Sequence, residues 1–92
     1  METYIVTPHG GLVEWLRRQG ITGTVTNRIT GEQATGSRII GTVPLHIAAL
    51  AAEVVNVKLA KLPYNRDKTD LSADEMEAAG AKLVRYKVTA LD

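Results

Sequence analysis

The spacing of apolar residues changes along the chain, and each change marks an expected element. Tyr4-Ile5-Val6 predicts a short strand over 3–7, broken by Gly10-Gly11. Leu12, Val13, Trp15 and Leu16 then fall on one helical face, with Glu14, Arg17, Arg18 and Gln19 turned away and Gly20 as terminator. The Thr- and Val-rich stretch 21–27 suits a second strand. Residues 30–37, with Gly31 and Gly36, read as a loop, and 38–43 as a third strand. Pro44 fits the start of a helix. The run 45–54 is apolar almost all round apart from His46 and Glu53, which predicts a buried or interfacial helix. Val55, Val57 and Leu59 alternate with Asn56 and Lys58 as a fourth strand. A polar loop over 63–71 follows. Ser72-Ala73-Asp74-Glu75 is a capping box opening a short helix that ends at Gly80. Val84, Tyr86 and Val88 alternate with Arg85, Lys87 and Thr89 as a half-exposed last strand, its basic residues discouraging edge pairing.

The resulting order, β-α-β-β-α-β-α-β, predicts an α/β fold: one Rossmann-like domain over 1–92, with a mostly parallel sheet and helices on both faces. Neither a linker nor an internal repeat interrupts it. The core is expected to be aliphatic, since the chain is 45% hydrophobic yet has one Trp and no Phe. So small a domain gains from the extra burial of a homodimer.

Composition then removes whole classes of chemistry. Eleven basic against 10 acidic residues leave a formal net charge of +1, which argues against coating a long nucleic acid. The chain has no cysteine, so disulfides, thiolate nucleophiles and Cys-based zinc sites are out, and a reducing cytoplasm is the expected location. No signal peptide and no membrane-spanning run of ~20 apolar residues is expected. Rossmann glycine fingerprints, phosphate-loop Gly-Lys-Ser/Thr, His-Glu-x-x-His and Gly-x-Ser-x-Gly motifs are all missing. No cofactor is expected, and no ligand spacing supports a metal.

What remains lies at two strand-to-helix turns, Thr7-Pro8-His9-Gly10-Gly11 and Gly41-Thr42-Val43-Pro44-Leu45-His46, which hold the two histidines of the chain. Ligands of open α/β sheets bind beyond the carboxyl ends of strands, and imidazole suits acid–base work near neutrality. The first turn has the small residues and helix start of an anion cradle. In the second, a helix N-terminus would favour a neutral imidazole at His46. Each turn also admits a bland reading: a tight turn with a surface His9, and a His46 capped by backbone groups. Arg28 and Arg38 are within plausible reach of a phosphate, and Lys58, Lys61, Arg66 and Lys68 gather around Tyr64, whose ring can stack on a base. Such a set permits metal-free cleavage of an RNA-like phosphodiester, with the ribose 2′-hydroxyl as nucleophile.

Tyr4-x-Val6-Thr7-x-His9-x-Gly11 with Glu14-Trp15-Leu16, then the six residues Gly41 to His46, then Leu71-Ser72-Ala73 and Gly80-Ala81, resembles a small CRISPR-associated family, the sixteenth-numbered Csx family of type III loci. The resemblance spans nearly the whole chain. It implies a fold related to the CARF (Rossmann-like) domains and a ring nuclease that switches off antiviral signalling. The implied substrate is a cyclic oligoadenylate, the tetramer foremost, and the implied products are linear oligoadenylates with 2′,3′-cyclic phosphate ends. It carries over His9 and His46 as catalytic residues, with Thr7, Gly10, Gly11 and Thr42 as backbone or hydroxyl contacts. Arg38, Tyr64 and Arg66 join them as ligand contacts from the residue reading alone. A two-fold dimer would match the tetramer's approximate symmetry, with 45–54 as a candidate interface. Two alternatives stay open: a binding module that sequesters the messenger without cleaving it, and a protein-interaction subunit with no nucleotide ligand.

Overall fold

The computed structural model describes residues 1–7, 9–60 and 71–92. Its strands are β1 (Thr3–Val6), β2 (Thr24–Thr26), β3 (Arg38–Gly41), β4 (Glu53–Lys58) and β5 (Lys82–Tyr86). Between them lie α1 (Gly10–Arg18), α2 (Gly31–Ala34), α3 (Leu45–Ala48) and α4 (Ala73–Ala78). The strands form one sheet in the order β2-β1-β3-β4-β5. All neighbours run parallel except β4 and β5, which are antiparallel. This is the doubly wound, Rossmann-like arrangement expected from the alternation of elements.

Both faces of the central strands are buried, so β1, β3 and β4 carry apolar residues in succession rather than in alternation. On one face Ile5, Ile40 and Val55 pack with Trp15 and Leu16 of α1 and with Leu71, Ala73 and Met76 at α4. On the other, Val6, Ile39 and Val54 pack with Ala34 of α2, Ala48 of α3 and Ala51. The first face is the better covered. There Trp15 Nε1 donates to Glu77 Oε2 at 2.6 Å, and Arg18 Nη1 donates to Asp74 Oδ1 at 2.6 Å, tying α1 to α4. The Asp74 hydrogen bond and charge push the Arg18 pKa upward, but the pair is exposed and adds little stability. At the start of α4 the Ser72 hydroxyl accepts from the Glu75 N–H while Glu75 Oε1 accepts from the Ser72 N–H, each at 3.1 Å, as the capping box requires.

Two expectations need correction. The loop expected over 30–37 contains α2, a single turn capped by Thr30 and Gln33 in a second capping box. The helix expected over 45–54 is one turn, and Glu53 and Val54 belong to β4. The parallel ladder wins there: Val54 and Val55 pair with Ile39 and Ile40, where β-branched residues pack well. The N–H groups of Ala52 and Glu53 both donate to the Ser37 carbonyl, and Glu53 receives Arg38 Nε at 2.6 Å. These contacts pull the chain out of the helix and into the sheet.

Leu16 is fully buried between α1 and the sheet. Leu16→Ala is expected to cost about 2–5 kcal/mol. A thermal melt followed by circular dichroism should show Tm lower by at least ~8 °C.

Candidate functional site

Strands β1 and β3 are parallel neighbours, with Val6 opposite Gly41 at their carboxyl ends. Their outgoing helices pack on opposite faces, α1 with Trp15 and Leu16 on one and α3 with Ala48 on the other. A crevice opens where the chain parts in this way, and it is the usual ligand position of a doubly wound sheet. Gly41 allows the parting. Its φ of +132° favours glycine, and a Cβ there would collide with the Val6 carbonyl oxygen.

The first histidine turn is held from below. Thr7 is buried, its N–H donates to the Thr26 carbonyl at 3.1 Å, and its hydroxyl accepts the His9 N–H at 3.1 Å. His9 takes the N-cap position of α1 in an extended conformation, and its side chain makes no capping bond. The imidazole is half-buried and has no hydrogen-bonding partner among the described residues. The two glycines that follow differ. Gly10 faces open space, whereas a Cβ on Gly11 would strike the Leu71 carbonyl. Gly11 thus serves the packing of α1 against the segment leading into α4.

The second turn runs from Gly41 through exposed Thr42 to α3, where His46 is the second helical residue and is exposed. One turn is too short to sum the helix dipole expected from a helix over 45–54. His46 stands at the start of the helix that leaves β3 on one face of the sheet, and His9 at the start of the helix that leaves β1 on the other.

The remaining candidates separate. Arg38 opens β3 at the amino ends of the parallel strands, away from the crevice, and is engaged with Glu53. Tyr64 and Arg66 lie outside the described residues, as does Pro8. Among the described residues no cluster of three or more His, Asp or Glu side chains is disposed to hold a metal, and no helix is long and apolar enough to cross a membrane.

The structure adds residues that the sequence pattern concealed. A pocket of about 150 Å³ adjoins the crevice, lined by Thr42, Leu45, Val54, Asn56, Tyr86 and Val88 among others. Asn56 and Tyr86 read in sequence only as members of alternating strands. Lys82 is a further addition: it reaches the carboxyl edge of the sheet because β5 runs antiparallel, and joins there Arg28, just past β2, and Lys58, ending β4, both already candidates from the sequence. The strand direction of β5 leaves no mark in a period-two pattern, so Lys82 had no legible signal.

The glycine geometry gives a paired test. Gly11→Ala should lower Tm by several degrees, because backbone on both sides must move. Gly10→Ala should leave Tm unchanged or slightly raised, since Ala exceeds Gly in a helix by up to about 1 kcal/mol. Equal melting losses in the two variants would refute the distinction.

Comparison with known proteins bears on this arrangement. No curated protein and no solved structure matches the chain. A family model described as "Putative CRISPR-associated protein (Cas_VVA1548)" matches residues 4–89, which include both histidine turns and the pocket. The chain therefore belongs to this CRISPR-associated protein family.

Proposed function

We propose that the crevice between β1 and β3 binds a cyclic oligoadenylate, the tetramer foremost, and linearises it. The protein would thereby end the antiviral signal of a type III CRISPR system in the cytoplasm, as a CARF-like ring nuclease of the sixteenth-numbered Csx family. One observation supports the reading: the two histidines begin the helices that leave the neighbouring strands β1 and β3 on opposite faces, in a chain of a CRISPR-associated family.

The chemistry needs little more than positioning and proton transfer. A ribose 2′-oxygen bonds to the adjacent phosphorus and the P–O5′ bond breaks. An imidazole takes the 2′-hydroxyl proton, and the departing 5′-oxygen receives a proton in turn. The product is a linear oligoadenylate with a 2′,3′-cyclic phosphate at one end and a 5′-hydroxyl at the other. His9 and His46 are the acid–base candidates. The N–H groups at the start of α1 and the Thr42 hydroxyl are candidate phosphate donors, and the open space at Gly10 lets the ligand approach the backbone. A two-fold dimer would present this set twice to a ring of four phosphates. Leu45 and Leu50, 77% and 43% exposed, are its candidate apolar contacts in place of the longer helix first expected.

A second reading, sequestration without cleavage, draws on a different observation. Neither imidazole has a hydrogen-bonding partner among the described residues, and acid–base histidines are commonly oriented by one. Incubation of the purified protein with cyclic tri-, tetra- and hexa-adenylate, with and without EDTA, separates the readings by chromatography. The tetramer should be linearised in EDTA, and His9→Ala or His46→Ala should slow cleavage by at least ~10-fold. Tight binding with intact ring after long incubation would establish sequestration instead, and no binding of any ring would sink both.

A further inference from the structure

The pocket beside the crevice has a chemistry of its own. Its walls are mainly apolar, from Leu45, Val54 and Val88, and Tyr86 supplies an aromatic ring. At about 150 Å³ it is half the ~300 Å³ at which drug-sized pockets begin, so it takes one ring system rather than a whole ligand. The polar side chain that β4 contributes to its lining is Asn56. It lies half-buried in β4 between Val55 and Val57, and its amide has no hydrogen-bonding partner among the described residues. A primary amide offers one donor and one acceptor side by side, which is the complement of the N6/N7 edge of adenine.

The register of β4 and β5 extends this site. Val54 lies opposite Tyr86, Asn56 opposite Val84, and Lys58 opposite Lys82, so all six stand on the face that bears the pocket. Both lysines are exposed and form no ion pair among the described residues. Like charges directly opposite each other are unfavourable in a sheet. An anion seated between them reverses the sign of that interaction. The amide and the lysine pair are two register positions apart along the strands, next to each other on the same face, so a base at the first leaves its phosphate near the second.

We propose that this face is an adenosine-phosphate subsite, with Asn56 reading the N6/N7 edge, Tyr86 walling the base and Lys58 with Lys82 holding phosphate. The choice of adenine rests on the cyclic oligoadenylate reading. The subsite sets which base is accepted, a separate matter from the proton transfers assigned to the histidines.

The test uses the full chain, labelled with 15N, titrated with 5′-AMP and then 5′-IMP, whose oxygen at position 6 faces the amide acceptor. AMP is expected to shift the Asn56 side-chain amide and to bind about 5-fold or more tighter than IMP. Asn56→Leu should bring the two within twofold. Asn56→Asp, of nearly the same size, should weaken AMP and IMP together, because it offers no donor to the N7 that both bases carry. A Lys58→Ala, Lys82→Ala double variant should lose affinity for AMP and not for adenosine. Equal binding of AMP and IMP, or shifts that avoid Asn56 and Tyr86, would overturn the subsite. If the ring is cleaved while AMP leaves Asn56 unmoved, the subsite fails and the ring nuclease reading survives. If AMP shifts Asn56 while every cyclic ring goes unbound, the outcome is reversed.

Discussion

The close approach of Gly41 to the Val6 carbonyl is the constraint on which the rest of the site depends. Adjacent parallel strands lie roughly 4.8 Å apart, and a side chain at Gly41 would occupy that gap. Without the approach, β1 and β3 could not be neighbours at their carboxyl ends, where the ladder pairs Val6 with Gly41. The positive φ at Gly41 also turns the chain toward the second face, while β1 releases its chain toward the first. One residue thus both closes the ladder and opens the crevice. The two histidine turns inherit their relation to each other from it.

The faces of the sheet are unequal, and the inequality creates the pocket. On the first face α1 and α4 bring Trp15, Leu16 and Met76 down onto the strands and cover them with large side chains. On the second, α2 and α3 are single turns whose buried contributions are Ala34 and Ala48. Small residues on short helices cannot cover β4 and β5, and Tyr86 remains 40% exposed. The shortness of α3 follows in turn from the strength of the β3–β4 pairing, which claims Glu53 and Val54. Sheet stability on one side of the molecule therefore sets the open volume on the other.

Much of this was legible where a single physical signal decided the outcome. The face of α1 follows from helical spacing alone, since nothing in the sheet competes for it. The Ser72–Glu75 box is visible because both reciprocal bonds are local. The same signature at Thr30–Gln33 was masked by Gly31 and Gly36, which read as loop, yet its two bonds form and hold a turn of helix. The run 45–54 misleads because apolar periodicity does not separate a buried helix from a turn entering a buried strand. Its resolution lies in a partner strand, and strand pairing is not written into the local pattern. Strand direction likewise puts Arg38 at the end of β3 opposite Gly41, although the two are close in sequence.

The net charge of +1 describes the molecule poorly, because its charges are sorted by place. Arg38 and Arg85 meet Glu53 near the amino ends of the parallel strands, and Arg17 and Arg18 meet Glu14 and Asp74 along α1 and α4. Arg28, Lys58 and Lys82 stand at the carboxyl edge without such partners among the described residues. Among the described residues, neutralisation elsewhere leaves that edge basic although the whole chain is nearly neutral. A compact phosphate-bearing ligand samples this local field over about a Debye length, ~8–10 Å, whereas a long nucleic acid samples the whole surface. The same charges that argue against binding long nucleic acid thus favour a small anion at the crevice. In the proposed subsite, discrimination that charge cannot supply would fall to the apolar walls and the Asn56 amide.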